Sequence, residues 1–232
     1  MKGILGDKKC VRTLSTSLLA AISVLLSGVT CRATDMGVKT SGNWNDNGTW
    51  TSSSIPGSGD DVYVGSTYPS GAASTAAVTL VQNQSANNVY LGYSNLASGT
   101  LNLGNYKLTM GGALYLGNAS GSTATVNRGA GYLSASGVNV NNSNSFLFGT
   151  LDTAGNLTLA NSSTASTAAT GNVTGSVNVS GCSTLTLGAD MTLSNYLNLW
   201  NSTSTLDMAN HALQANEFDL GWSGGTPSLN NR

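Results

Sequence analysis

From about residue 78 onward, apolar residues stand at i and i+2 in short units separated by small polar residues. Val89-Tyr90-Leu91, Leu101-Asn102-Leu103, Leu114-Tyr115-Leu116, Val138-Asn139-Val140, Leu157-Thr158-Leu159, Val177-Asn178-Val179 and Leu197-Asn198-Leu199 all share this form. It is the period of a strand with one buried face. Gly, Asn and Ser fill the gaps and permit tight, left-handed turns. No window after Ala33 carries a helical period.

Three segments superpose. Those beginning at Thr100, Thr184 and Thr205 each read T-L-x-[LM], then a turn, then an [LF]-x-L strand that starts at Leu114, Leu197 and Phe218. The step from Thr184 to Thr205 is a period of about 20 residues, the length of a solenoid coil. A unit this short cannot bury its own apolar face and must stack on its neighbours. A leucine-rich repeat would carry a helical segment and a fixed buried Asn or Cys, and a propeller blade is about twice as long. The pattern therefore predicts an all-β chain forming a right-handed parallel β-helix (β-solenoid), with three short strands per coil. A solenoid end exposes strand edges and needs a cap. Residues 34–77, with Trp44, Trp50 and Ile55-Pro56-Gly57, are assigned to the N-terminal cap and first coil, and residues 78–232 to the repeats.

Residues 1–33 differ from the rest. Lys2, Lys8, Lys9 and Arg12 precede an apolar run from Leu18 to Leu26, and Cys31 and Ala33 supply small residues at a cleavage site. This predicts a signal peptide cut after Ala33, with no stable transmembrane segment afterwards, since a spanning helix needs ~20 apolar residues. The expected location is secreted, at the cell surface or associated with an outer membrane.

Without the leader, four basic side chains face nine acidic ones, a net charge of −5. That balance excludes nucleic acid as a partner, because phosphate binding needs clustered Lys and Arg. Cys182 becomes the single cysteine, so no intrachain disulfide forms, and a buried, small apolar role is expected for it.

Chemistry-bearing residues are sparse. Lys39, Lys107, Arg128 and Arg232 lie far apart, which disfavours a β-helical lyase or glycosidase needing a carboxylate cluster with a nearby base. No catalytic residue, metal site or cofactor is expected. Superposing the repeats places Asp190 and His211 at one turn position, with Tyr106 there in the first, so Asp190, His211 and Tyr106 are the candidate ligand-binding residues. Asp60-Asp61 is read as a turn and strand start, since strand neighbours point to opposite faces. Tyr90, Tyr93, Tyr106, Tyr115, Tyr132 and Tyr196 are outward aromatics able to stack on sugar rings, or plain surface filler.

Gly42-Asn43-Trp44 through Trp50, the segment over residues 55–65 and the L-x-L-G coils resemble secreted bacterial β-helical surface proteins, similar to autotransporter passenger domains and their associated β-strand repeat proteins. The resemblance implies a surface-displayed scaffold followed by more coils and a barrel or sorting tail. This chain stops at Arg232 as another coil begins after Gly224-Gly225, so C-terminal coils are expected to be missing. The expected function is a non-catalytic structural or adhesive protein, whose partners are surface glycans or other surface proteins. The alternative is a carbohydrate-binding or carbohydrate-active β-helix.

Overall fold

A computed structural model describes residues 33–200, 203–222 and 227–230. The expected leader falls, but for Ala33, outside the described residues. Within them the chain is a parallel β-solenoid of about eight turns, and its one helical element is the single 3-10 turn Asn47–Thr49.

The main side stacks nine strands in parallel: Asp35–Gly37, Asp61–Val64, Val89–Leu91, Ala113–Leu116, Tyr132–Val140, Thr153–Leu159, Val177–Val179, Tyr196–Trp200 and Glu217–Trp222. The L-x-L units build this side, each placing its two apolar residues inward and its middle residue outward. Two unbroken columns result. One runs Met36, Val62, Val89, Leu114, Val138, Leu157, Val177 and Leu197, and every member is at most 1 % exposed. The other runs in parallel through Val64, Leu91, Leu116, Val140, Leu159, Val179 and Leu199. Each such side chain contributes about 1.5–3 kcal/mol on burial, so the stacking of coils rather than any single coil stabilises the fold.

The turns are not uniform. Val62 stands opposite Val89, Val89 opposite Leu114 and Leu114 opposite Val138, so the early coils are long. From there Val138 pairs with Leu157, Leu157 with Val177, Val177 with Leu197 and Leu197 with Phe218, in shorter steps. The long turns leave the main side through single left-handed glycines, Gly65, Gly92 and Gly117. A Cβ on Gly65 would lie 2.1 Å from the Ser98 carbonyl oxygen, so no other residue fits. The short turns leave through left-handed pairs instead: Asn142-Ser143, Asn161-Ser162 and Gly181-Cys182. Their second-side strands also shorten, from five residues in Ser98–Asn102 and Thr123–Asn127 to three in Ser145–Leu147 and Thr164–Ser166.

The second side does not stay in register across that change. It divides into a four-stranded sheet ending at Thr123–Asn127 and a five-stranded sheet starting at Ser145–Leu147. Side chains bridge the break. Asn144 accepts from the Ala124 N–H at 2.7 Å and donates to the carbonyls of Ser122 and Asn141, taking the place of a neighbouring backbone. Further round the coil, Arg128 Nε donates to Asp152 Oδ2 at 2.6 Å, and its guanidinium lies 4.6 Å from the centre of the Phe146 ring. Asp152 also accepts from the N–H groups of Gly149 (2.8 Å) and Leu133 (2.9 Å), and its side chain is 0 % exposed.

The cap is an excursion from the first coil. Trp44 and Trp50 meet edge to face at 5.3 Å, both are buried, and Trp50 Nε1 donates to the Trp44 carbonyl at 2.8 Å. The main side itself begins at Asp35, so residues 34–77 already belong to the stack. Cys182 corrects an expectation: it is exposed, because it occupies a left-handed corner that turns its side chain outward, where Thr203 Oγ1 lies 2.9 Å from its sulfur.

Candidate ligand-binding face

The middle residues of the L-x-L units form an outward column on the main side. Its first tyrosines are Tyr63, Tyr90 and Tyr115, aligned by the register of three adjacent strands. Their rings stack at 4.6 Å with interplanar angles of 6° and 7°. Tyr68 and Tyr93 pack edge-on against Tyr63, and Tyr68 donates a short hydrogen bond to Asp35. Stacking at that spacing covers most ring faces, and under Tyr68 and Tyr93 the Tyr63 ring is buried while Tyr90 and Tyr115 are half-buried. Burial, with the Asp61 carboxylate adding to it, pushes the Tyr90 phenol up to about 12, and burial followed by the charge of Asp35 raises that of Tyr63 further. The hydrogen bond to Asp35 raises that of Tyr68.

Beyond the tyrosines the column continues as Asn139, Thr158 and Asn178. The neighbouring outward column runs through Ala113, Gly137 and Asn156 and reaches Tyr196 two strands later. Two small residues in succession lower the surface. The result is a trough of about 290 Å³ with Ala113 and Gly137 as floor, amides and hydroxyls along it, and Tyr196 at the far end. Asn156 Oδ1 accepts from the Ser176 N–H at 2.9 Å, and Asn178 Oδ1 accepts from Asn198 Nδ2 at 2.9 Å. Both side-chain carbonyls are thus spent within the stack, which orients each NH2 group. Among the described residues no charged side chain lines the trough.

The three candidates from the repeats fare differently. Asp190 and His211 do meet, with Nδ1 at 3.5 Å from Oδ1. Their register is one residue off the expected one: Met191 pairs with Leu213, so Asp190 stands opposite Ala212 and accepts its N–H at 2.9 Å. The longer turn before Leu213 causes that slip. The Asp190 side chain is 67 % exposed, leaving the pair in solvent. Tyr106 does not join them. It immediately precedes the strand Lys107–Met110, which pairs with the first residues of Tyr132–Val140, and the coils carrying Tyr132, Asp152 and Asn172 intervene. At ~4.8 Å per coil, that puts Tyr106 about 19 Å from the coil of Asp190 and about 24 Å from that of His211.

Asp60 and Asp61 serve the turn. Asp60 accepts from the N–H groups of Thr34 and Gly57, and Asp61 accepts from the side chains of Asn87 and Asn88. Among the described residues no group of His, Cys, Asp and Glu could hold a metal, and no helix is long and apolar enough to cross a membrane. The tyrosine ladder is written in the strands V-Y-V, V-Y-L and L-Y-L, and stacking those three strands in register finds it. The trough has no such local signal.

Fold and face together define a class: a parallel β-solenoid bearing an elongated, uncharged, hydrogen-bonding surface along its axis. No protein-family model, curated protein or solved structure matches the chain.

Proposed function

We propose that this is an exported, non-catalytic adhesive β-solenoid, a stiff rod that holds an extracellular ligand along its main side. One observation carries the reading: the polar groups of that side are arrayed along the axis over successive coils instead of converging on one reacting atom. Catalysis by acid and base needs convergent groups within hydrogen-bond reach of a single bond, whereas adhesion gains from repeated, pre-oriented contacts. The basic N-terminal segment with its apolar run, and the resemblance to secreted β-helical surface proteins, support export and surface display.

The test is retention of labelled protein on intact cells and on extracted surface material, with the main side altered by Tyr115→Ser and Asn178→Ala together. Loss of retention is expected. Retention unchanged by these substitutions, or turnover of a polysaccharide by the purified chain, would refute the reading.

The 3.5 Å approach of His211 to Asp190 favours a second reading, a carbohydrate-active protein working at that corner. It requires that Asp190→Ala or His211→Ala abolish an activity on some polysaccharide. Full activity in both variants would end it.

A further inference from the structure

We infer that the trough on the main side binds an uncharged saccharide chain laid along the solenoid axis. This rests on the adhesive reading above and names its ligand class. Four features of the site point the same way.

The first is shape. From the Ala113 strand to the Tyr196 strand the trough crosses four coil steps, about 19 Å at ~4.8 Å each. It is open along its length, so it suits a linear polymer rather than a compact small molecule.

The second is hydrogen bonding. Saccharide hydroxyls both donate and accept, and amides and hydroxyls match them without a charge. The side chains of Asn139 and Thr158 have no hydrogen-bond partner among the described residues, and Asn156 and Asn178 use only their carbonyl oxygens. The trough thus offers unspent donors at successive coils. Because the ladder bonds already hold the amides of Asn156 and Asn178, little side-chain entropy is lost on binding.

The third is the aromatic end. In its column Tyr196 follows Ser176 and Asn156, smaller side chains, and its own is 37 % exposed. Among the described residues no ring stacks on it, in contrast to Tyr90, which lies between Tyr63 and Tyr115. A ring face with its polar tip in water is the surface on which the apolar face of a sugar packs.

The fourth is charge. No Lys or Arg lines the trough, and acid stands beyond both of its ends: Asp35 and Asp61 at the N-terminal end of the column of Ala113 and Gly137, and Glu217 and Asp219 after Tyr196 and Asn198. A polyanionic glycan laid along the axis would meet carboxylates at both ends with no cation in between. Neutral chains are selected by default.

Gly137 provides a clean perturbation. Its φ is not in the left-handed region, and an added Cβ would meet Ala113 Cβ at 3.6 Å and the Asn156 carbonyl oxygen at 3.8 Å, both ordinary contacts. A large side chain there fills the trough without straining the backbone. Titration calorimetry of the full chain against cello-, xylo-, manno- and chito-hexasaccharides, with oligogalacturonate as the acidic comparator, is the experiment. At least one neutral hexasaccharide is expected to bind, and oligogalacturonate is expected to bind at least about tenfold more weakly. Tyr196→Ala should weaken the neutral ligand about tenfold, the scale of one lost contact of ~1.4 kcal/mol, and Gly137→Phe should abolish binding with an unchanged thermal midpoint. The inference is overturned if no neutral hexasaccharide binds, if oligogalacturonate binds as tightly, or if Gly137→Phe binds normally. Cell retention that persists without saccharide binding defeats this inference alone. Saccharide binding without cell retention defeats the adhesive reading alone.

Discussion

Removing the carboxylate of Asp152 should do more damage than any comparable change on the surface of this solenoid. Asp152 is fully buried and holds three donors: Arg128 Nε at 2.6 Å, the Gly149 N–H at 2.8 Å and the Leu133 N–H at 2.9 Å. Arg128 is itself only 16 % exposed, and its Nη2 is buried without a partner among the described residues. Asp152→Ala therefore strands a cation that has no second ion-pair partner among the described residues. Deleting one partner of a buried pair costs about 3–5 kcal/mol, and each backbone N–H left unsatisfied costs about 1–3 kcal/mol. These overlap, so a net loss of at least about 4 kcal/mol is expected, a large share of the ~5–15 kcal/mol that stabilises a typical chain.

The position of the loss matters as much as its size. Asp152 lies where long turns give way to short ones, just past the break in the second side. Solenoid stability is close to a sum of coil terms and nearest-neighbour interfaces, so weakening one interior interface uncouples the two halves. Urea unfolding followed by circular dichroism should change from one transition to two. Asp152→Asn keeps the volume but turns an NH2 toward donors, and is expected to cost nearly as much as the alanine. A loss below about 1 kcal/mol in Asp152→Asn, or one sharp transition in both variants, would refute the account.

Three further outcomes are expected. Tyr90 is held protonated in the folded chain from its ordinary value of 10.0 up to about 12, so it contributes stability that is complete below pH 10 and is lost as pH rises through about 12. Alkaline unfolding monitored by tyrosinate absorbance should therefore begin above pH 10, and Tyr90→Phe should make the loss less steep. In the cap, Trp50→Phe removes the donor to the Trp44 carbonyl, whereas Trp44 Nε1 has no partner to lose among the described residues. Trp50→Phe should thus lower the thermal midpoint more than Trp44→Phe, about 1 kcal/mol more by denaturant titration. Asp190→Ala and His211→Ala should leave the midpoint within error, since an exposed pair contributes about 0–1 kcal/mol.

Much of this architecture is legible in the sequence because strand period is a local property. Leu157-Thr158-Leu159 can bury its leucines only as a strand, and a repeat as short as the step from Thr184 to Thr205 can bury them only by stacking. The burial of Trp44 and Trp50 is legible for a related reason, since two large apolar rings so near together gain most by packing inward. The Asp190–His211 contact can be read from superposed repeats, but the pairing of Met191 with Leu213 moves it by one residue. Cys182 goes against its chemistry: a small apolar side chain is exposed because the corner conformation, not its hydrophobicity, decides where it points.

The alternation of apolar and polar residues by itself determined that this chain is all-β, coiled and stacked, with Leu and Val inside. What only the tertiary structure decided is which outward residues become neighbours. Gly137 lies opposite Ala113 of the coil before it and opposite Asn156 of the coil after it, and the first of those coils is the longer. Such pairings depend on how many residues each corner consumes. A coil one residue longer would turn different side chains toward each other, and no local pattern reports that count. The trough and the Arg128–Asp152 junction are products of register, set by the cooperative packing of whole coils.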